Sequence, residues 1–379
     1  MQTDFTVGIE EEFQLIDPST GDLRSSVTEI LASGHEALGD QLKQEMFQSM
    51  VEVGTVICSN VSEARAEVIR LRKTVSELAE QNGSRLMAAG CHPFADWQNM
   101  EITDDTRYLA LAKDLQEIAR SIAVYGLHVH VGVEDRDIGI DLMNEARYFL
   151  PHILALSTNS PFWQGRDTGL KSYRSVIWGR MPRSGIPDTF ASWDDYTHFV
   201  ETLLRTNSID EPTKIWWDIR PHPKFNTLEF RTCDMPTRVD ETVCLAALFQ
   251  AVVAKLYKLR SKNLGFRVYQ RALISENRWR AIRYGIDGDL IDFGKVKEVP
   301  MRELAIELLE FVDDVVDDLG CREALQTVHD ILRNGTGADR QLAVYRDTGD
   351  FRAVVDYLAE ETMRGVKAGA SSGAAPSGR

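Results

Sequence analysis

The sequence lacks most of the features that announce a function at once. It holds five cysteines (Cys58, Cys91, Cys233, Cys244 and Cys321), an odd number with no CxxC pair, so it offers neither a disulfide framework nor a zinc knuckle and predicts reduced thiols. No stretch approaches the roughly 18 uninterrupted apolar residues of a membrane span. The opening MQTDFTVGIEEEF has neither the basic start nor the apolar run of a secretory signal, so the expected location is the cytoplasm. Positive charge is scarce: 43 Lys and Arg against 58 Asp and Glu give a formal net charge of −15. Nucleic acid or an anionic membrane would repel such a surface, which leaves small molecules as the predicted partners. There is no GxxxxGK[ST] phosphate loop, no GxGxxG turn and no HExxH helix. A nucleophile-elbow string does occur at Gly369–Gly373, but with no strand before it and no helix after it.

What remains is enough for a large core: 379 residues, 43% of them hydrophobic. The pattern predicts a single catalytic domain over residues 1–365 and a low-complexity, disordered tail over 366–379. Helical periodicity marks 60–82, where Asn60 and Glu63 form a capping box and Gly83 stops the helix, then 103–125, about 140–158, and most of the chain after Asp240 (240–262, 267–284, 301–319, 322–333). Strict alternation marks strands at 5–16 and 127–133, and a hairpin is predicted from 214–223 and 226–236.

In three of those strands one face is apolar and the other carries chemistry. Glu10 and Glu12 share a face; so do His128 and His130; so do Glu229, Arg231 and Cys233, with Leu228, Phe230 and Thr232 behind them. A half-solvated antiparallel strand shows the same pattern without any function, but three in one chain point to a shared carboxylate-rich surface. Crowded carboxylates repel one another unless a cation neutralises them, and hard oxygen ligands with an imidazole suit Mg²⁺ or Mn²⁺. Glu11, on the apolar side, is predicted to be a paired structural carboxylate. Glu45 and Glu52 read by themselves as surface charges. The loop 160–190 gathers Arg166, Lys171, Arg174, Arg180 and Arg183 among glycines, a composition suited to clamping phosphate. Arg278, Arg280 and Arg283 crowd a later helix and are expected to face water.

Five segments, GIEEEF, EMFQSMVEV, GLHVHVG, STNSPFWQGRDTGLKSYRS and TLEFRTCDMP, occur in that order between residues 5 and 285 or so. Together they resemble the carboxylate–amine ligases of the glutamate–cysteine ligase 2 family. The resemblance implies an α+β, glutamine-synthetase-like fold: a curved antiparallel sheet with helices on its convex face, and ATP and metal ions on its concave one. It implies metal ligation by Glu10, Glu12, Glu45, Glu52, His128 and Glu229, and contact with phosphate or substrate by Arg231 and Arg174; Lys171 of the basic loop is expected beside them for the nucleotide. The implied reaction joins a carboxylate to an amine through an acyl phosphate, with glutamate and cysteine the leading pair. A phosphagen-type kinase on the same fold, a zinc amidohydrolase suggested by His128-Val-His130, and a non-catalytic ATP-binding homologue are the alternatives. The role of His130 and the general base stay open, and the helical C-terminal third offers surface for a homodimer.

Overall fold

Alternating side chains build one seven-stranded antiparallel sheet in the computed structural model, which describes residues 4–366. Its strands are β1 (Val7–Ile16), β2 (Leu42–Gln44), β3 (Met50–Gly54), β4 (Arg85–Met87), β5 (Gly126–Gly132), β6 (Ile219–Pro221) and β7 (Thr227–Asp234). The order is β6-β7-β5-β1-β3-β2, with β4 also on β1. The central strand is therefore the one that carries Glu10 and Glu12.

The apolar face of the sheet, including Val7, Ile9, Val129, Val131, Leu228 and Phe230, is buried in the main core. The helices Val61–Gln81, Leu150–Ser157 and Val239–Arg260 cover it. Phe230 stacks on Phe249 of the last of these, with ring centroids 4.2 Å apart, and burial of each such side chain contributes roughly 1.5–3 kcal/mol. Among the described residues Val239–Arg260 is the one helix long and apolar enough to cross a membrane, but 78% of its apolar window is buried inside the protein. It is the central core helix. All five cysteines are free and buried.

Between the sheet and this helical layer lies the Glu11–Arg72 pair, Oε1 to Nη2 at 2.5 Å, with side chains 2% and 0% exposed. Arg72 also donates to the carbonyls of Pro236, Thr237 and Thr362. One guanidinium thus fastens β1 to the segment after β7 and to the C-terminal helix, and Glu11 is the structural carboxylate expected.

Three local expectations need correction. The helix predicted at 103–125 is broken into Thr106–Leu115 and Glu117–Arg120. Gln116, at φ 51°, ends the first piece, and the β-branched Ile122 and Val124 then run extended so that Val124 bridges Cys91. In β7 the register shifts between Phe230 and Cys233; this bulge turns Cys233 into the core beside Leu228 and Phe230 rather than onto the charged face. Asn60 does cap Val61–Gln81 by accepting from the Glu63 N–H, but the Glu63 carboxylate returns to the N–H of Ser59, not of Asn60. Of the predicted tail, Val366 is buried in the core, and the rest lies outside the described residues.

Candidate active site

Register places the functional side chains in rows across the polar face. Glu10 pairs with His128, Glu12 with Glu52, Glu229 with His130, Arg220 with Glu229, and Lys43 with Glu52. Directly opposed like charges, as in Glu12 and Glu52, destabilise a sheet, so this row works against folding and calls for a functional cause. Above the rows lies a cavity of about 450 Å³ whose lining includes all six predicted metal ligands, Glu10, Glu12, Glu45, Glu52, His128 and Glu229, together with Arg174 and Arg231.

Lys171 is the predicted residue that the structure does not bring there. Its ammonium is paired with Asp339 and lies 3.4 Å from Asp287, away from the cavity. Arg166 and Arg180 are exposed, and Arg183 lies over the Trp216 ring, so only Arg174 of the basic loop reaches the carboxylates. The reason is Asp234 at the end of β7. It accepts hydrogen bonds from Asn159 N–H at 2.8 Å and from the Ser160 and Ser172 hydroxyls at 2.7 Å, which pins the loop and holds Arg174 over Gly126. A Cβ at Gly126 would overlap the Arg174 guanidinium. Arg278 is spent on Asp218 and Arg280 on Glu276 and Glu298.

The electrostatics are those of a site short of positive charge. Burial, with the charge of Glu52 added, raises Glu12 to about 7; burial and the charge of Glu12 raise Glu45 to about 7. Burial with Glu10 and Glu45 pushes Glu52 well up against the pull of Lys43. For Glu10, burial is outweighed by hydrogen bonds and charge from His128 and His130, which hold its carboxyl well below the usual range. Glu229 is likewise held low against burial, by Arg220 and then Arg231. Burial and Arg231 lower His128 to about 4, which keeps the imidazole neutral and able to bind a metal.

Within this set Glu10, Glu52 and His128 bring one ligand atom each to within 4.8 Å of the others, and so do Glu10, His130 and Glu229. Glu10 is common to both. Crowded, partly protonated carboxylates with a neutral imidazole are the donor set of a hard divalent cation, so these residues fit Mg²⁺ or Mn²⁺. Lys43 now sits where such a cation would act, 3.2 Å from Glu10 and 3.0 Å from Glu52.

Two side chains missed in the sequence complete the site. Arg220 forks onto Glu229 at 2.8 and 3.1 Å and fixes its orientation; period two along KIWWDIRPHP puts it on one face with Asp218 and His222, which was the available signal. Lys43 had none. Arg231 lies in the bulge of β7, bonded to Glu229 and 3.4 Å from His128. The Nε atoms of Arg174 and Arg231 are both buried without a partner among the described residues, so each guanidinium keeps donor capacity that the protein does not use.

Comparison with solved structures fixes the fold. The chain superposes with a TM-score of 0.69 on a Francisella tularensis glutamate–cysteine ligase solved in complex with AMP, at 13% identity, covering 99% of this chain and 96% of that one. A bifunctional glutathione synthetase of Pasteurella multocida gives 0.68, also at 13% identity, over 96% of this chain and 52% of that one. The architecture is the glutamine-synthetase-like α+β fold.

The chain belongs to glutamate–cysteine ligase family 2, whose profile matches residues 6–357. Relatives from Solibacter usitatus and Herpetosiphon aurantiacus are each 54% identical to it, over 370 and 362 residues, covering 97% and 96% of this chain and 96% and 94% of theirs. Both bear the name "Putative glutamate--cysteine ligase 2".

Proposed function

We propose that this enzyme uses ATP to convert a carboxylate to an acyl phosphate and then to an amide, with glutamate and cysteine the leading substrate pair. The observation that carries the reading is the gathering of six metal-type ligands with Arg174 and Arg231 around one cavity. A carboxylate is a poor electrophile in water and needs activation. In the first step its oxygen attacks the γ-phosphorus and ADP leaves; in the second the amine nitrogen attacks the acyl carbon, phosphate leaves and the nitrogen gives up a proton.

Glu10, Glu12, Glu45, Glu52, His128 and Glu229 would hold Mg²⁺, or Mn²⁺ in its place, whose charge would offset the negative charge of the moving phosphoryl group. Arg231 and Arg174 donate to the phosphoryl oxygens as charge develops there and to the phosphate afterwards. Arg220 keeps Glu229 ionised and oriented. Five free, buried thiols and small-molecule chemistry together support a cytoplasmic enzyme.

The test is oxygen transfer. With glutamate labelled by ¹⁸O in its carboxylates, the phosphate released in the full reaction is expected to carry one ¹⁸O atom. Unlabelled phosphate, or AMP in place of ADP, would overturn the acyl-phosphate route.

A further inference from the structure

One wall of the cavity has no part in the chemistry above. Leu111, Ile122, Val124, Trp178, Met181 and Trp216 line it, and all six belong to a single hydrophobic cluster that continues behind the cavity. The wall offers almost no polar handle: the Trp178 indole N–H is directed at the Trp216 carbonyl, 3.4 Å away. Its position is fixed by Arg231, whose guanidinium lies 5.6 Å from the centre of the Trp178 ring. The apolar surface therefore begins one side chain from the group that contacts the transferring phosphoryl.

Two ligands could meet such a wall, the base of ATP or a substrate side chain. Ribose and two phosphates separate adenine from the γ-phosphorus, so a surface that starts at Arg231 is too near the reacting atoms for the base. Between the co-substrates, the acid carries charge and belongs against Arg174 and Arg231. The amine must attack as the free base, and an apolar surround disfavours the ammonium form. A cysteine side chain covers little of a surface built from two indoles, whereas each apolar Å² removed from water contributes about 25 cal/mol.

From this geometry we infer that the wall is a side-chain subsite for the amine substrate, and that the preferred amine carries an aromatic or large aliphatic group. The inference rests on the ligase reading but departs from its leading pair, since it replaces cysteine as the preferred amine.

The test separates binding from turnover. Phenethylamine and ethylamine, as probes, are titrated against the full chain with ATP and Mg²⁺ present, and binding is followed by isothermal calorimetry. Phenethylamine is expected to bind at least about tenfold more tightly, the range typical of added apolar surface in a pocket. Leu111→Asp should abolish that advantage, and Leu111→Ala, which keeps the fold if Asp does not, should reduce it, with the loss in turnover falling on the amine's KM rather than on that of ATP. Equal affinities for the two probes, or a rise in KM for ATP instead, would overturn the subsite. If phenethylamine binds as expected and no acid yields ADP, the subsite stands and the ligase reading fails. If ligation proceeds with cysteine and shows no preference for apolar amines, the ligase reading stands and the subsite fails.

Discussion

Replacing Arg72 by Met is expected to destabilise the protein more than any substitution on its surface. Arg72 and Glu11 are 0% and 2% exposed, and the substitution leaves Glu11 with the Thr242 hydroxyl, at 2.7 Å, as its remaining side-chain donor. The carbonyls of Pro236, Thr237 and Thr362 lose a donor at the same time. Breaking a buried ion pair from one side costs about 3–5 kcal/mol, because the partner's charge stays in the interior. For a chain of this size that is a fall in Tm of about 4–6 °C. Adding Glu11→Gln removes the stranded charge and should recover about 1–2 kcal/mol, since the amide can still accept from Thr242. Urea denaturation of wild type, both single variants and the double variant closes the cycle. A loss below about 1 kcal/mol for Arg72→Met would refute the reasoning, for it would mean that the pair is hydrated in solution. Because Glu11 stands between Glu10 and Glu12 on β1, the same variant should also loosen these two proposed metal ligands.

Further outcomes follow from single groups. Lys43 occupies the counter-charge position between Glu10 and Glu52, so Lys43→Met should tighten Mn²⁺ binding in calorimetry, and weaker binding would show that Lys43 does not compete with the cation. Gly126→Ala should displace Arg174 and depress ADP release by about 10²-fold while far-UV circular dichroism stays unchanged; full activity would remove Arg174 from the mechanism. Burial lowers His152 from 6.5 to about 4. The folded state resists that proton, so the stability it contributes is complete above pH 6.5 and is lost as pH falls toward 4, by about 3 kcal/mol at the most. His152→Gln should flatten that part of the pH–Tm curve, and an unchanged slope would refute the assignment.

The sheet and its charged face were legible in the sequence because strand period two sorts side chains without reference to distant contacts. Glu10, Glu12, His128 and Glu229 declare themselves as polar positions within strands of apolar alternation. Glu45 and Glu52 did not, because Glu52 takes its meaning from the pairing of β3 with β1 and Glu45 from the turn between β2 and β3, and only the family resemblance picked them out. The bulge at Arg231 is a backbone irregularity with no residue signature, so Cys233 was put on the wrong face. Gln116 broke a helix that periodicity extended, since helical propensity cannot foresee the demand for Ile122 and Val124 as an extended wall. Lys171 shows the limit of reading charge from composition: its neighbours in sequence are basic, but its partners in space are Asp287 and Asp339, more than a hundred residues away.

The central claim is tested most directly by measuring ADP and amide together with ATP and Mg²⁺, across amino acids and small carboxylic acids crossed with amines, with mass spectrometry for the product and Glu229→Gln in parallel. The account predicts one ADP per amide for at least one pair and the loss of both in Glu229→Gln. ADP without amide would make the protein a kinase on this fold, and ATP binding with neither product would contradict the ligase assignment.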